Sequence, residues 1–225
     1  EHGFQLWGSG FTQPLSAIST LESLIADAVA AAIQGTAPTT SGSDGGPRGT
    51  QSPRAWQSYL LAREFMQERP PGWSKSALRE LAASLDADPG FAEAQAAYAV
   101  TLALSASNSV DRREQFDRAM SAVNRSQVLA PDSSAVLAAR GLLLQLQQPP
   151  DLATSELVLR RAVDIDPANV DARNWLQSAL SQMGRVSEAQ QVLLATAEID
   201  PLNPVVQINL AERYGAQGNF TSARA

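Results

Sequence analysis

Cysteine is absent from this sequence, and histidine and lysine each occur only once, as His2 and Lys75. Without cysteine there are no disulfides, no thiolate metal ligands and no cysteine nucleophile. A single histidine next to the first residue also leaves no basis for a Ser-His-Asp triad or a zinc site built from this chain alone. We therefore predict a protein without catalytic activity, metal or other cofactor.

Basic charge and long apolar runs are scarce as well. The chain has 17 Lys and Arg residues against 23 Asp and Glu residues, which gives a formal net charge of −6. Binding to a nucleic-acid backbone normally needs a basic stripe, so we predict no direct nucleic-acid partner. No run of about eighteen apolar residues occurs, so we predict no membrane span within this chain.

What the sequence does contain is a recurring proline. Pro89, Pro131, Pro167 and Pro201 each close a short phrase of apolar and small or acidic residues, at successive intervals of 42, 36 and 34 residues. Proline lacks a backbone N–H and disfavours helix in the residue before it, so each phrase should end a helix. Two amphipathic helices fit between successive prolines, and this period is typical of a helical repeat array.

Small residues lie at a constant distance before these prolines. Twelve residues before them are Ala77, Ala119, Ser155 and Ala189. A small side chain lets the two helices of a hairpin approach closely, whereas a bulky one would cost roughly 1–3 kcal/mol. The spacing therefore predicts repeated helical hairpins with close internal contacts.

This pattern resembles the tetratricopeptide repeat (TPR) family, whose 34-residue helix–turn–helix unit carries small residues at positions 8 and 20 and proline at position 32. Position 8 corresponds here to small residues in four repeats and to Gln177, a departure, in the fourth. The resemblance implies an all-α superhelix of about 4.5 hairpins over residues 53–225. The repeats span 53–89, 90–131, 132–167, 168–201 and an incomplete 202–225. The residues expected to pack the repeats are Ala62, Ala77, Ala99, Ala119, Gly141, Ala189 and Ala211.

A different organisation is expected before residue 53. Alternating residues at 3–11 predict a short strand, residues 14–34 an amphipathic helix, and the Gly, Ser, Thr and Pro-rich residues 36–52 a flexible linker. Phe4-Gln5-Leu6-Trp7 with the following helix is similar to the end of the small α/β domain, related to the TolB N-terminal domain, that precedes TPR arrays in bacterial regulators. Such regulators include CadC-type transcription regulators, adenylate cyclases and kinases. This likeness implies a larger bacterial signalling or transcription-regulating protein, in the cytoplasm or with this part in the periplasm, and the start at Glu1 and the incomplete fifth repeat predict flanking sequence.

The TPR resemblance also implies a concave groove lined by positions 2, 5, 9 and 12 of the first helix of each repeat. These positions hold mainly apolar and neutral residues, with aromatic residues in repeat one. They predict a protein partner that presents an apolar or amphipathic segment. The groove residues expected are Trp56, Tyr59, Arg63, Met66, Val100, Leu142, Gln145, Asn174, Ser178, Ile208 and Glu212.

Two further uses of residues 1–35 stay open beside their role as the end of an upstream domain. The helix at 14–34 could dock on its own array, because an 18-residue linker has a root-mean-square reach of roughly 23 Å. It could instead join two chains, as a homodimer through residues 3–33. In either case the protein would be a structural or oligomerisation arm rather than a receptor for a foreign segment.

Overall fold

The computed structural model describes residues 49–106 and 111–216, which form nine α-helices and no strand. The helices are α1 Pro53–Glu68, α2 Trp73–Ala87, α3 Ala92–Ala106, α4 Arg112–Leu129, α5 Ser134–Leu146, α6 Leu152–Ile165, α7 Val170–Gln182, α8 Val186–Ile199 and α9 Pro204–Ala216. The all-α prediction is confirmed. The predicted strand and helix of residues 1–35 lie outside the described residues.

The starts of several helices follow from local sequence. Ser52 precedes α1, and its Oγ accepts a hydrogen bond from the Ala55 N–H at 3.2 Å, with a proline at the first helical position. Asp151 and Asn169 cap α6 and α7 in the same way, each through a side-chain oxygen that accepts a backbone N–H three residues later. These side chains satisfy N–H groups that have no partner inside the helix.

The ends of α2, α4, α6 and α8 each lie directly before one of the recurring prolines. In all four, the last backbone N–H before the proline donates to the carbonyl four residues earlier, and the proline cannot extend the ladder. Asp88 and Asp166, which precede two of these prolines, also accept hydrogen bonds from the N–H groups of Gly90 and Ala168. These acids therefore hold the turns between repeats.

The helices pack in successive pairs, α1 with α2, α3 with α4, α5 with α6 and α7 with α8. The first helices of neighbouring hairpins also pack on one another, α3 on α5 and α5 on α7, while α9 rests on α8. This is the predicted hairpin array. None of the described helices is both long and apolar enough to cross a membrane.

Small residues lie where paired helices approach most closely. Five of the expected packing residues have no solvent-exposed surface: Ala62, Ala77, Ala99, Ala119 and Ala189. Gly141 in α5 lies so close to α6 that a Cβ there would be 2.4 Å from Cγ of Leu159. Ala211 in α9 and Gln177 in α7 are half-buried.

The last residues of the predicted linker pack against the array. Thr50 is buried, and its hydroxyl donates a hydrogen bond to the carboxylate of Asp88 at the end of α2. The same hydroxyl oxygen accepts from the Ser52 N–H at 3.1 Å. Thr50 thus has polar partners on the first hairpin, while residues 36–48 of the predicted linker lie outside the described residues.

Candidate functional site

A groove of about 1680 Å³ extends along the first helices of the repeats. Its wall includes residues of α1, α3, α5, α7 and α9, together with the turns that precede α5, α7 and α9. Five alanines of α3 and α5 contribute to its lining: Ala96, Ala97, Ala135, Ala138 and Ala139. Four of these alanines are at most 6% exposed, and Ala135 is half-buried, so their short side chains form the bottom of the groove.

Aromatic rings form the groove wall on α1. Trp56 and Tyr59 line the groove, and Phe91 lies behind them with its side chain fully buried. The ring centroids are 4.9 Å apart for Tyr59 and Phe91, and 5.6 Å apart for Trp56 and Tyr59. Packed aromatic pairs stabilise one another by about 0.5–1.5 kcal/mol beyond simple burial. This wall is therefore a preformed apolar surface.

An ion pair joins two distant parts of the groove. Nη1 of Arg63 in α1 lies 2.9 Å from Oδ2 of Asp171 in α7. The two residues are 108 positions apart in the sequence, in the first and the fourth repeat. The negative charge of Asp171 raises the pKa of Arg63, so the guanidinium stays charged. Burial raises the pKa of the neighbouring Tyr59 phenol, which stays neutral at pH 7. The pair is a direct side-chain contact between repeat one and repeat four, and its two side chains are 31% and 41% exposed.

The charge of the groove is predominantly negative. Three guanidinium groups line it, those of Arg63, Arg69 and Arg213. Six carboxylates line it: Glu64, Glu93, Asp166, Asp171, Asp200 and Glu212. Two buried oxygens of lining residues, Asn174 Oδ1 and Glu93 Oε2, have no hydrogen-bond partner in the described structure.

Most of the expected groove residues reach this wall. The structure places eight of the eleven there: Trp56, Tyr59, Arg63, Met66, Val100, Asn174, Ser178 and Glu212. It does not place Leu142, Gln145 or Ile208 there. Ile208 is instead 57% exposed on α9.

Leu142 and Gln145 are core residues, because α5 is covered by α3 on one side and by α7 on the other. Leu142 belongs to the apolar cluster between α3, α4 and α5. Nε2 of Gln145 donates to the carbonyl of Trp175 at 3.0 Å and to Oγ of Ser155 at 3.1 Å. Its Oε1 accepts from Nε2 of Gln182 at 3.1 Å, so this side chain ties repeat three to repeat four.

Sequence reasoning missed the groove residues that lie in the turns. Asp166 and Asn169 line the groove before α7, and Asp200 and Asn203 line it before α9. Both pairs belong to the repeated tetrapeptide Asp-Pro-x-Asn. The Asn side chain accepts the first free N–H groups of the next helix in both turns. The repeated tetrapeptide Asp-Pro-x-Asn is the sequence signal that could have identified these turn residues.

Comparison with known proteins agrees with this architecture. Residues 151–207 match the model of the tetratricopeptide repeat family. TTC0263, a thermophilic TPR protein of Thermus thermophilus, superposes with a TM-score of 0.57 at 18% identity, over 71% of this chain and 80% of that chain. The fold is a TPR array. No curated protein sequence matches the chain.

Two other solved TPR proteins resemble the array more loosely. MamA from Desulfovibrio magneticus RS-1 has a TM-score of 0.45 at 16% identity, over 76% of this chain and 89% of that chain. YrrB, a TPR protein with an unusual peptide-binding site, has a TM-score of 0.42 at 19% identity, over 76% of this chain and 79% of that chain. The likeness of residues 1–35 to a TolB-related domain falls outside the described residues.

The acidic side chains of the groove are dispersed rather than clustered. Across residues 49–106 and 111–216, no group of three or more His, Cys, Asp or Glu side chains is arranged to hold a metal ion. The carboxylates of the groove are distributed over several turns and helices. What the groove offers is shape, apolar surface and charge.

Proposed function

We propose that this TPR array is a non-catalytic interaction module whose groove binds a segment of another protein. The observation that carries the proposal is the continuous groove from α1 to α9, with alanines in its lining and an aromatic wall. Its volume of about 1680 Å³ exceeds the 300–1,000 Å³ typical of small-molecule pockets. A peptide or helix that places several side chains along the groove suits these dimensions better than a compact metabolite.

The aromatic wall and the ion pair support binding without a large rearrangement. The rings of Trp56 and Tyr59 are held from behind by Phe91, and Arg63 is held by Asp171. A preformed surface loses little side-chain freedom when a ligand binds, and this lowers the cost of association. We further propose that the module belongs to a larger bacterial regulatory protein, which the likeness of residues 4–7 to a regulator domain supports.

A second candidate is the structural arm, and one observation favours it. The described chain begins at Gly49, where a Cβ would lie only 2.1 Å from Oε2 of Glu93, a groove residue. The chain therefore enters the array beside the groove at Gly49, and this alternative concerns the segment of residues 14–34 that precedes it in the sequence. In this alternative the segment occupies its own groove or that of a second copy, as a homodimer through residues 3–33.

Selection of binding peptides tests the main proposal. A phage library of random 16-residue peptides is panned on the full chain, and recovered peptides are measured against two matched variants. Ser178→Trp fills the groove, whereas Ser121→Trp adds the same side chain at an exposed position of α4 outside it. We expect Ser178→Trp to weaken the groove-dependent peptides by about fivefold or more, since overfilled sites cost 1–3 kcal/mol, and Ser121→Trp to leave them unchanged.

Equal binding to Ser178→Trp and to the unmodified chain would refute the groove assignment. Circular dichroism of both variants verifies that they retain the helical content of the parent chain. Sedimentation of the full chain and of a chain beginning at Gly49 tests the arm, because a dimer seen only with residues 1–48 present would favour it.

A further inference from the structure

We propose that the partner segment is cationic as well as amphipathic, with Lys or Arg side chains facing the carboxylates of the groove and apolar side chains on its alanines. This inference rests on the proposed function and specifies the chemistry of the ligand. Three observations support it: the charge that remains in the groove, the unpaired acceptors in its wall, and the composition of the chain's own N-terminal segment.

The arginines of the groove are already engaged. Arg63 is paired with Asp171, and Arg213 donates to Oγ of Ser181 at 3.2 Å. The guanidinium of Arg69 lies 5.3 Å from the ring centroid of Trp73 and donates to a backbone carbonyl. Only Arg63 is paired with a carboxylate of the lining; Arg69 and Arg213 keep their positive charge, and the lining still has three more carboxylates than guanidinium groups.

Two of those carboxylates are available to a ligand. Glu64 in α1 and Glu212 in α9 are exposed and line the groove. Neither makes an ion pair within the described residues. They lie on the first and the last described helices. Over the whole lining, six carboxylates stand against three guanidinium groups, so the groove has an excess of negative charge, which favours positive charge on the ligand.

The unpaired polar atoms in the wall are acceptors. The side chain of Asn174 is 8% exposed, and its Oδ1 has no hydrogen-bond partner. Oε2 of Glu93 also has no partner within the described residues, but it lies beneath Gly49, where a Cβ would be 2.1 Å away, so the relevant acceptor is that of Asn174. A buried acceptor without a donor is unfavourable, and the terminal torsion of Asn is broad enough to turn its oxygen toward the groove. A ligand rich in N–H donors, as Lys and Arg are, supplies what the wall lacks.

Apolar surface accounts for the amphipathic part of the proposal. The lining also includes Ala135, Met66 and Trp175, which are partly exposed, and Val100 and the other four alanines, which are at most 6% exposed. Burial of apolar side chains there is favourable by about 25 cal/mol per Å² of apolar surface removed from water. Apolar side chains provide most of the binding energy, and the cationic groups select orientation and partner.

The chain's own segment does not have this composition. Residues 14–34 contain Glu22 and Asp27 and no Lys or Arg. Docking this segment in the groove would add two carboxylates to a site already rich in them. Charge complementarity therefore favours a foreign partner over residues 14–34 of the same chain or of a second copy.

The test uses the peptides recovered from the random library on the full chain. Groove-dependent peptides, defined by their weaker binding to Ser178→Trp, are expected to carry more Lys and Arg than the unselected library. Their affinity should fall about three- to tenfold for the double variant Glu64→Gln/Glu212→Gln, since exposed pairs are individually weak. The control Glu114→Gln/Asp117→Asn makes the same change in net charge on α4, outside the groove, and should change affinity less than about twofold.

Each outcome separates this inference from the proposed function. Groove-dependent peptides that are neutral or acidic would overturn the cationic ligand and leave the interaction module standing. Recovery of no groove-dependent peptide would overturn the module itself. Equal weakening by the two double variants would show that the net charge of the protein attracts the peptides, which overturns this inference. A synthetic peptide of residues 14–34 should not displace the selected peptides, and displacement would also overturn it.

Discussion

Replacing Gly141 with alanine adds one methyl group where α5 lies close to α6. The new Cβ would lie 2.4, 2.6 and 2.9 Å from Cγ, Cδ2 and Cδ1 of Leu159. Real Cβ atoms do not approach other atoms within 3.0 Å, so either Leu159 or the backbone of α5 has to move. Leu159 is fully buried in the cluster between α5, α6, α7 and α8, so it has no free space to enter.

Two opposing terms determine the size of the effect. Alanine is favoured over glycine inside a helix by about 0.8–1.0 kcal/mol, which stabilises the variant. Overpacking a dense core costs typically 1–3 kcal/mol, and a contact that involves Cγ of a fully buried leucine lies toward the upper part of that range. We therefore expect Gly141→Ala to lower the free energy of unfolding by about 1–2 kcal/mol.

Gly215→Ala is the matched control, because no atom lies within 4 Å of the position that its Cβ would take in α9. This variant should be unchanged or more stable by up to about 1 kcal/mol. Urea unfolding followed by circular dichroism at 222 nm measures both. With a slope of about 2 kcal/mol per molar urea, the midpoint of Gly141→Ala should fall by roughly 0.5–1 M.

The interpretation fails if Gly141→Ala unfolds at the same or a higher urea concentration than the unmodified chain. A double-mutant cycle assigns the cause. In a Leu159→Ala background the clash is gone, so the alanine at 141 should be neutral or stabilising there. If Gly141→Ala lowers the free energy of unfolding just as much in the Leu159→Ala variant, the contact with Leu159 is not the source of the strain.

Two further predictions concern polar contacts. Gln145→Leu should lower the free energy of unfolding by about 1–3 kcal/mol in the same urea assay, because Trp175 and other buried partners lose their hydrogen bonds. Hydrogen bonds from Arg185 lower the pKa of Glu188. The stability that this interaction contributes is therefore present above the ordinary Glu pKa of 4.5 and is lost as pH falls through the depressed value. Arg185→Met should remove this part of the acid sensitivity, measured as the difference in urea midpoint between neutral and strongly acidic solution.

Both predictions have matched controls. Gln57→Leu changes an exposed glutamine of α1 and should be neutral, so an equal loss in this variant would contradict the role assigned to Gln145. Arg79→Met removes an exposed arginine whose ion pair is with the adjacent Glu80, and it should leave the acid sensitivity unchanged. If Arg185→Met retains the full acid sensitivity of the parent, the contacts of Arg185 with Glu156 and Glu188 do not cause it.

The fold could be predicted from sequence because its signals are local. Each recurring proline ends a helix by chemistry that involves only the neighbouring turn. Small residues such as Ala77 and Ala119 lie at the hairpin contacts because two consecutive helices joined by a short turn have few ways to pack. The resemblance to TPR proteins supplied the register, and the described helices follow it.

The groove was predictable only in part. Position within a repeat identified Trp56, Asn174 and Ser178 as lining residues, because first helices face the same side in successive hairpins. The same rule failed to place Leu142 and Gln145, since α3 and α7 both cover α5. Whether a given side chain is a groove residue or a core residue depends on how closely neighbouring hairpins stack.

The sequence by itself determined the repeat length, the helix ends before the recurring prolines and the close contacts within hairpins, all of which depend on residues near one another along the chain. Only the tertiary structure decided how the hairpins stack, and with it the ion pair between Arg63 and Asp171, the burial of Gln145 and the negative charge collected along the groove. These features join residues from several repeats. Small rotations between successive hairpins accumulate along a solenoid, and the pattern within one repeat does not specify their sum.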